Sequence, residues 1–380
     1  MGLERRNPVL SRHRNFSAGF TGGVELISKT VRYIRTYFKM TRLISLASYL
    51  LCLAIPILAS PRPIVIWHGL GDSYNSDGMQ RVAALIQEMH PGIFVHSVYL
   101  NLESSQDSKE SLLGRLDDQL AFVCDQLASI PELEHGFDGL GFSQGGLFLR
   151  GYVERCNSPK AYKLLTFGSP QNGVADFPPC NARDFVCRRR NTFLKTQAYS
   201  QLAQESITVA QYYRNLDQYD TYLERSGFLA DINNERQVKN ATYAENLSSL
   251  EELVLYLFTE DETVVPKETA WFAEVDKKTG VVTPLGERQI YIEDWLGLKA
   301  LGESGRLHFC SIEGRHMRIT NETMIEIATK YLGTEVTLET EKGESMEQQE
   351  TLKEIVGYVN DILNERLQQI FAAVAGQAYM

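Results

Sequence analysis

The chain has 380 residues, enough for one large domain or two ordinary ones, and 43% of them are apolar, which argues against global disorder. Its formal net charge is −10. Nine of the 38 basic residues but only two of the 48 acidic ones lie in residues 1–60, so the remainder is strongly acidic. This balance argues against nucleic acid as a partner, because clusters of Lys and Arg bind its phosphates.

The N-terminal region has the pattern of a secretory signal. An apolar run at residues 43–60 ends in the small residues Ala59 and Ser60. It predicts a cleavage site near residue 60, which makes residues 1–60 a signal region. The segment before the run is long for a signal peptide, and Met40 is a possible true start. The alternative is an uncleaved signal anchor, because the run approaches the length of a membrane span.

Short apolar strands alternate with helices beyond residue 60. The predicted strands are residues 63–67, 93–100, 137–142, 163–168, 253–258 and 307–312. The predicted helices between the first four strands are residues 78–90, 110–130 and 144–156. This alternation predicts an α/β fold with a mostly parallel sheet and helices on both faces. Such sheets carry their chemistry on loops at the carboxyl ends of the strands.

Two segments depart from this rhythm. Residues 171–250 contain aromatic helical stretches and predict a helical cap over the sheet edge, with a role in substrate binding; the alternative is extra packing. Residues 334–380 begin as a polar tether and end in an amphipathic helix. This helix is expected to dock on its own domain or on a partner, because its polar face is not rich in Lys. Residues 61–333 are the predicted catalytic domain.

The cysteines and glycosylation sequons fit an exported protein. Cys124 and Cys156 end successive helical stretches, and Cys180 and Cys187 flank a polar loop, so each pair can form a disulfide. Cys310 lies in an apolar strand and is predicted to be a buried thiol. The three sequons begin at Asn240, Asn246 and Asn321.

The stretch GLGFSQGG at residues 139–146 could cradle a phosphate or carry a nucleophile. A dinucleotide-binding loop needs a third glycine where Gln144 stands, and a P-loop needs a Gly-Lys-Ser/Thr that is missing. Gly141 to Gly145 instead form G-x-S-x-G, which follows a predicted strand and opens a predicted helix. This arrangement is typical of a nucleophile turn and makes Ser143 the candidate nucleophile.

A serine nucleophile needs a histidine base and a carboxylate that orients it, in the chain order Ser, acid, His for this fold. Only His308 and His316 come late enough, and His308 lies inside a predicted strand. His316 lies in the loop after that strand and is the predicted base. Glu260 and Asp261 both follow the strand before it, with Glu262 third in line; Asp261 is the predicted acid because of its position and shorter reach.

The oxyanion hole needs two backbone N–H groups. One is expected from Gln144, directly after the nucleophile, and the other from Leu70 in the early loop HGLGD. His68 in this loop is predicted to shape the turn. No metal is required, because the sequence lacks CxxC, HExxH and other tight ligand spacings.

Five stretches closely resemble the palmitoyl-protein thioesterase family, in particular its lysosomal type 1 members, from about residue 62 to 333. They are PIVIWHGLGDS, GFSQGG, FLADINNER, EDETVVP and EGRHMR. FLADINNER is long and specific, whereas G-x-S-x-G alone is not. The resemblance implies a cofactor-free α/β-hydrolase that removes palmitate and similar long acyl chains from cysteine thioesters of proteins or peptides.

The same resemblance assigns residues. It places the catalytic roles on Ser143, Asp261 and His316 and the oxyanion donors at Leu70 and Gln144. It also suggests the bridges Cys124–Cys156 and Cys180–Cys187, glycosylation at Asn240, and an acyl groove formed mostly by the cap insertion. The sequence departs from the family where Tyr74 and Asn75 replace an adjacent cysteine pair and where Met317 and Arg318 follow the base. The tail after residue 333 has no counterpart in the family.

The sequence leaves two alternatives to thioester hydrolysis open. The first is an oxygen-ester lipase, because a triad alone does not choose between ester types. The second is a non-catalytic acyl-binding protein whose C-terminal helix docks on a partner. The expected setting is the secretory pathway, ending in the lysosome, a vacuole or secretion, with a monomer that keeps no membrane span after signal cleavage.

Overall fold

The computed structural model describes residues 60–178 and 184–336, together with residues 31–32, 34–35, 39 and 365. Ala59–Thr337 form one compact unit. The predicted signal region and C-terminal helix lie almost wholly outside the described residues, so both stay predictions. Within the described ranges, no helix is long and apolar enough to cross a membrane.

A six-stranded sheet forms the centre of this unit. Its strands are β2 Ile64–Trp67, β3 Val95–Ser97, β4 Phe137–Phe142, β5 Ala161–Phe167, β6 Glu252–Phe258 and β9 Leu307–Ile312. The order is β3-β2-β4-β5-β6-β9, and every neighbouring pair is parallel. β2 and β4 are buried along their whole length, because helices cover both faces. The predicted parallel α/β architecture is confirmed, and all six carboxyl ends lie at one edge.

Two short antiparallel ribbons flank the sheet. β1 Ser60–Pro61 pairs with β10 Glu335–Val336, and β7 Glu274–Val275 pairs with β8 Val282–Thr283. Arg62 N–H also donates to the Thr334 carbonyl at 2.9 Å. The residues around the predicted cleavage site are therefore hydrogen-bonded to the start of the predicted tether.

Helices on the two faces of the sheet enclose two separate cores. α1 Asp77–Met89 and α13 Asn321–Tyr331 cover one face with Met79, Ile86, Met324 and Ile327. The other face is covered by α3 Leu116–Ala128, α4 Gln144–Arg155 and α10 Ala241–Ser248. The remaining helices outside the insertion are α2 Ser104–Leu112, α11 Gln289–Ile292 and α12 Leu298–Glu303.

The prediction of a single helix over residues 110–130 is wrong in one respect. The structure has two helices here, α2 and α3, separated at residues 113–115. Gly114 adopts φ +121, a backbone conformation that ends a helix and that residues other than glycine rarely adopt. The break lets Leu113 form an antiparallel bridge with Ile207.

The insertion at residues 171–250 consists of short helices joined by turns and loops where the structure describes it. Before α10 it contains α5 Phe185–Gln197, α6 Gln201–Ser206, α7 Thr208–Gln211, α8 Tyr219–Arg225 and α9 Leu229–Ile232. It packs on α4 through aromatic side chains: the Phe148 ring meets the rings of Tyr212 and Phe228 edge-on, at 6.4 and 5.7 Å. Within the insertion, Arg214 Nη2 forms an ion pair with Glu235 Oε1 at 3.0 Å.

The structure contains the predicted Cys124–Cys156 disulfide, which links α3 to the end of α4. Cys180 lies outside the described residues, so its predicted bridge to Cys187 stays a prediction. Cys310 is a free thiol but only half-buried, contrary to the prediction. The reason is that β9 is the edge strand of the sheet, where side chains such as Phe309 remain 48% exposed.

Arg150 and Glu154 form a fully buried pair one turn apart in α4, with Arg150 Nη1 2.7 Å from Glu154 Oε1. The second carboxyl oxygen, Oε2, is buried without a hydrogen-bond partner among the described residues. Burial raises the pKa of Glu154 to about 7, although Arg150 acts to lower it. The folded protein therefore keeps a proton on Glu154 at pH values where the unfolded chain has lost it.

We expect the free energy of unfolding to fall as pH rises from about 5 to about 8. A folded-state pKa above the unfolded value gives stability that is lost as pH rises through the folded pKa. The Glu154 contribution is about 3 kcal/mol, since one pKa unit corresponds to roughly 1.4 kcal/mol. Denaturant titrations at several pH values measure the trend. Glu154→Gln should flatten it, and a variant with the full wild-type pH dependence would contradict the assignment.

Candidate active site

Ser143 lies at the sharp turn between β4 and α4. Its backbone has φ 51 and ψ −122, a conformation that residues other than glycine rarely adopt. Its N–H donates to the Phe167 carbonyl at 2.8 Å, which continues the pairing of β4 with β5. Strain of this kind is common at functional positions, and here it points the hydroxyl away from the sheet.

The glycines around Ser143 are required by close backbone contacts. A Cβ built on Gly141 would run into the Cα of Gly146. A Cβ on Gly145 would run into the carbonyl oxygens of Trp67 and His68. The G-x-S-x-G spacing therefore lets α4 start directly against β4 and β2.

His316 bridges the serine and a carboxylate. Its Nε2 lies 2.9 Å from Ser143 Oγ, and its Nδ1 lies 2.6 Å from Asp261 Oδ2. The three residues come from the ends of three different parallel strands, since Asp261 follows β6 and His316 follows β9. The side chain of Asp261 is only 2% exposed and that of His316 is 14% exposed.

Backbone hydrogen bonds hold the Asp261 carboxylate in place. Its second oxygen, Oδ1, accepts from the N–H groups of Thr263 at 2.8 Å and Val264 at 3.0 Å. The neighbours Glu260 and Glu262 are exposed. Of the three acidic candidates in this loop, the structure brings Asp261 to the histidine.

His308, the other candidate base, lies at the amino end of β9. Its Nε2 is 3.4 Å from Glu252 at the start of β6. Because the strands are parallel, this position is at the opposite edge of the sheet from Ser143. The structure does not bring His308 into the site.

The segments that carry the two predicted oxyanion donors both border Ser143. The Gln144 N–H is the first in α4, where helix geometry provides no internal acceptor. The loop before Leu70 passes over the serine, and a Cβ built on Gly69 would lie 3.1 Å from Ser143 Cβ. The Gln144 side chain is fixed on both sides: Nε2 donates to the Ser111 carbonyl, and Oε1 accepts from Tyr212 Oη, each at 2.9 Å.

Helix α2 supports this loop, a role that the sequence pattern did not predict. Ser111 Oγ accepts from the Gly71 N–H, and Ser108 Oγ donates to the Gly71 carbonyl, each at 2.7 Å. Buried Asp107 accepts from the N–H groups of Tyr74 and Leu100, each at 2.7 Å. The run of serines and acids in SSQDSKES is the only sequence signal of this role.

Asp107 also faces His68, whose Nε2 lies 3.2 Å from Oδ2. Burial acts to raise the pKa of Asp107, but the contact with His68 and the backbone N–H groups outweigh it and lower the pKa. The other ring nitrogen of His68, Nδ1, lies 2.9 Å from the Gly69 carbonyl. His68 thus links the loop to a buried carboxylate, in line with its predicted role in shaping the turn.

A cavity of about 750 Å³ opens beside Ser143 and has two apolar walls. The cap wall consists of Val174, Phe177, Leu194, Ile207, Val209 and Tyr212, which pack with the core under the insertion. The helix wall consists of Met79, Val82, Leu85, Met317, Ile319 and Met324, which pack with the core under α1 and α13. The cavity therefore extends over the sheet edge from one core to the other.

A parallel sheet with a serine at the turn after a central strand, and an aspartate and a histidine on later loops, defines an α/β-hydrolase. Among the described residues, no group of three His, Cys, Asp or Glu side chains could hold a metal ion.

Comparison with known proteins gives the family. The model of the palmitoyl protein thioesterase family matches residues 63–316. Palmitoyl-protein thioesterase 1 of Caenorhabditis elegans is 37% identical over 272 residues, covering 71% of this chain and 91% of that protein. Palmitoyl-protein thioesterase 3 of Dictyostelium discoideum is 38% identical over 276 residues, covering 72% and 92%. The human lysosomal thioesterase PPT2 is 29% identical over 266 residues, covering 70% and 85%. The chain belongs to the palmitoyl protein thioesterase family and is a thioester hydrolase.

Proposed function

We propose that the protein hydrolyses long-chain acyl thioesters of cysteine in proteins or peptides, with Ser143 as nucleophile, His316 as base and Asp261 as the orienting acid. The observation that carries the proposal is the continuous contact from Asp261 Oδ2 through the His316 ring to Ser143 Oγ, at 2.6 and 2.9 Å. A serine hydroxyl is a weak nucleophile until a neighbouring base accepts its proton.

The reaction follows from these contacts. Ser143 Oγ attacks the thioester carbonyl carbon as His316 Nε2 takes the hydroxyl proton. The Leu70 and Gln144 N–H groups stabilise the oxyanion, and its collapse breaks the C–S bond. His316 returns the proton to the cysteine sulfur, which leaves the acyl group on Ser143. A water molecule then loses a proton to His316 and attacks the acyl-enzyme, and His316 returns that proton to Ser143 Oγ as the fatty acid leaves.

The cap wall supports a long acyl chain as the substrate. Its side chains are aliphatic or aromatic, and burial of each methylene group contributes about 0.8 kcal/mol to binding. We assign this wall to the acyl chain, as the family resemblance implies. The kcat/KM for a palmitoyl thioester should exceed that for a butyryl thioester by about 100-fold or more.

A series of thioesters from C4 to C16, with one leaving group throughout, measures this preference. An oxygen-ester lipase is the rival, since the cavity would also hold the acyl chain of an ester. A palmitoyl oxygen ester with a matched leaving group is therefore the control. Equal rates for the two palmitoyl substrates, or no gain with chain length, would count against the proposal.

We also propose that the protein enters the secretory pathway and functions in the lysosome or a vacuole. The predicted signal region and sequons support this, and relatives of the chain include a protein described as a lysosomal thioesterase. Palmitoylated proteins degraded in such a compartment would be the source of substrate.

The three sequons differ in how accessible their amides are. Asn240 and Asn321 are exposed, at the starts of α10 and α13. The side-chain amide of Asn246 donates to the Glu154 carbonyl at 3.0 Å. We expect glycans on Asn240 and Asn321 and little on Asn246, because modification there would replace this hydrogen bond. Mass spectrometry of glycopeptides tests this, and full occupancy of Asn246 with Asn240 bare would contradict it.

A further inference from the structure

The hydrolysis of a thioester needs space for two groups, and the cavity has two apolar walls. The acyl chain and the cysteine that departs are attached to the same carbonyl carbon, and they diverge from it. The proposed function assigns the cap wall to the acyl chain. The helix wall, on the other core, is then unassigned.

The chemistry of the base fixes the side from which the cysteine leaves. His316 Nε2 must reach both Ser143 Oγ and the departing sulfur, because it carries the proton from one to the other. The water that attacks the acyl-enzyme must approach past the same nitrogen. The leaving group therefore lies on the His316 side of the serine.

The helix wall begins at this histidine. Met317 and Ile319 follow His316 in the same loop, and both line the cavity. Met317 adopts φ 61, a left-handed conformation uncommon for residues with side chains. The loop is thereby turned so that the side chain next to the base contributes to the wall.

The composition of the helix wall defines what it can bind. Three of its six apolar side chains are methionines, whose flexible thioethers adapt to ligands of different shape, and the polar Thr320 and Asn321 beside Ile319 in sequence also line the cavity but are uncharged. Asp72, Arg81 and Asp176 also line the cavity, so its charged side chains are two acidic and one basic. This arrangement suits an uncharged, apolar group better than the polyanionic leaving group of an acyl-coenzyme A.

We propose that the helix wall is a leaving-group subsite that binds an apolar side chain of the peptide next to the acylated cysteine. This inference rests on the proposed function, because it takes the serine and histidine roles as given. The subsite makes the enzyme selective for the sequence around the cysteine and not only for the acyl chain.

Two S-palmitoyl peptides that differ only in Leu or Gly next to the cysteine test the proposal. Wild-type enzyme should prefer the Leu peptide by about tenfold or more in kcat/KM, since burying a leucine side chain is worth that ratio or more. Palmitoyl N-acetylcysteamine, which has no peptide, and its C8 counterpart complete the substrate set. Glycans are first removed from the enzyme with an endoglycosidase, because a glycan on Asn321 would lie at the edge of the same wall.

Val82 and Val209 provide matched variants, since both are half-buried valines on helices and they line opposite walls. Val82→Trp should bring the Leu-to-Gly ratio close to one and leave the C16-to-C8 ratio near its wild-type value. Val209→Trp should do the reverse: it should lower the C16-to-C8 ratio and retain the Leu preference. If a tryptophan variant does not fold, Val82→Ser and Val209→Ser provide the same comparison of ratios.

The outcomes separate this inference from the proposed function. Wild-type enzyme that hydrolyses palmitoyl N-acetylcysteamine but treats the Leu and Gly peptides alike overturns the subsite alone. A Val82 variant that changes the C16-to-C8 ratio also overturns it, because the acyl chain would then occupy the helix wall. Wild-type enzyme inactive on every palmitoyl thioester overturns the proposed function, and the subsite with it.

Discussion

Replacing Ser143 with alanine should lower kcat/KM for a palmitoyl thioester by about 10⁴-fold or more. The loss should appear in kcat, because the acyl chain binds to the cavity walls and not to the hydroxyl. Without Oγ no acyl-enzyme can form, and the His316 ring has no alcohol to activate at the 2.9 Å contact. Steady-state kinetics with the purified variant measure the effect.

Ser169→Ala is the matched control for this variant. Ser169 is buried in the loop after β5, and its Oγ has no hydrogen-bond partner among the described residues. Removing its hydroxyl should change kcat by about twofold or less. A loss of less than tenfold for Ser143→Ala would remove Ser143 as the nucleophile.

The second large effect is expected for Asp261→Asn, a loss in kcat of about 10³- to 10⁴-fold. Asp261 Oδ2 accepts from His316 Nδ1, which leaves Nε2 free to accept the serine proton. An asparagine amide can donate to Nδ1 and favour the other tautomer, in which Nε2 already carries a proton. The change in size is negligible, so the cavity and KM should be little affected.

Glu260→Gln and Glu262→Gln are the controls, because these residues adjoin Asp261 in sequence and are exposed. Each should change kcat by about twofold or less. A large loss for Glu260→Gln, with Asp261→Asn nearly as active as the wild type, would transfer the role of the acid to Glu260.

Much of the site could be predicted because its signals are local or follow chain order. The turn at Ser143 is encoded by its own flanking glycines. His316 and Asp261 could be selected because each follows a recognisable apolar strand, and parallel strands bring their carboxyl ends together. The nearby His308 could be set aside because it lies inside its strand.

Other features depend on contacts between distant residues and could not be read from the chain. Asp107 supports the HGLGD loop through Tyr74, 33 positions away, and no local pattern specifies that contact. The break between α2 and α3 depends on the φ of Gly114, although a single glycine within a helical pattern is often tolerated. The half-buried state of Cys310 depends on β9 being an edge strand.

The departure from the family at Tyr74 and Asn75 has a structural counterpart. Tyr74 N–H donates to Asp107, Tyr74 Oη donates to the Leu102 carbonyl at 3.1 Å, and its own carbonyl accepts from Ser97 Oγ at 2.7 Å. These hydrogen bonds fix the segment where, by the resemblance to the family, an adjacent cysteine pair would stand. The segment after the HGLGD loop is therefore held in place without that cysteine pair.

Reaction with an active-site-directed fluorophosphonate, followed by mass spectrometry of the digested protein, tests directly whether Ser143 is the nucleophile. We expect one adduct, on the peptide that contains Ser143, formed in parallel with the loss of thioesterase activity. Labelling should fall strongly in a His316→Ala variant, because the hydroxyl is then no longer activated. An active enzyme that is not labelled at Ser143, or that loses its activity through an adduct on another residue, would contradict it.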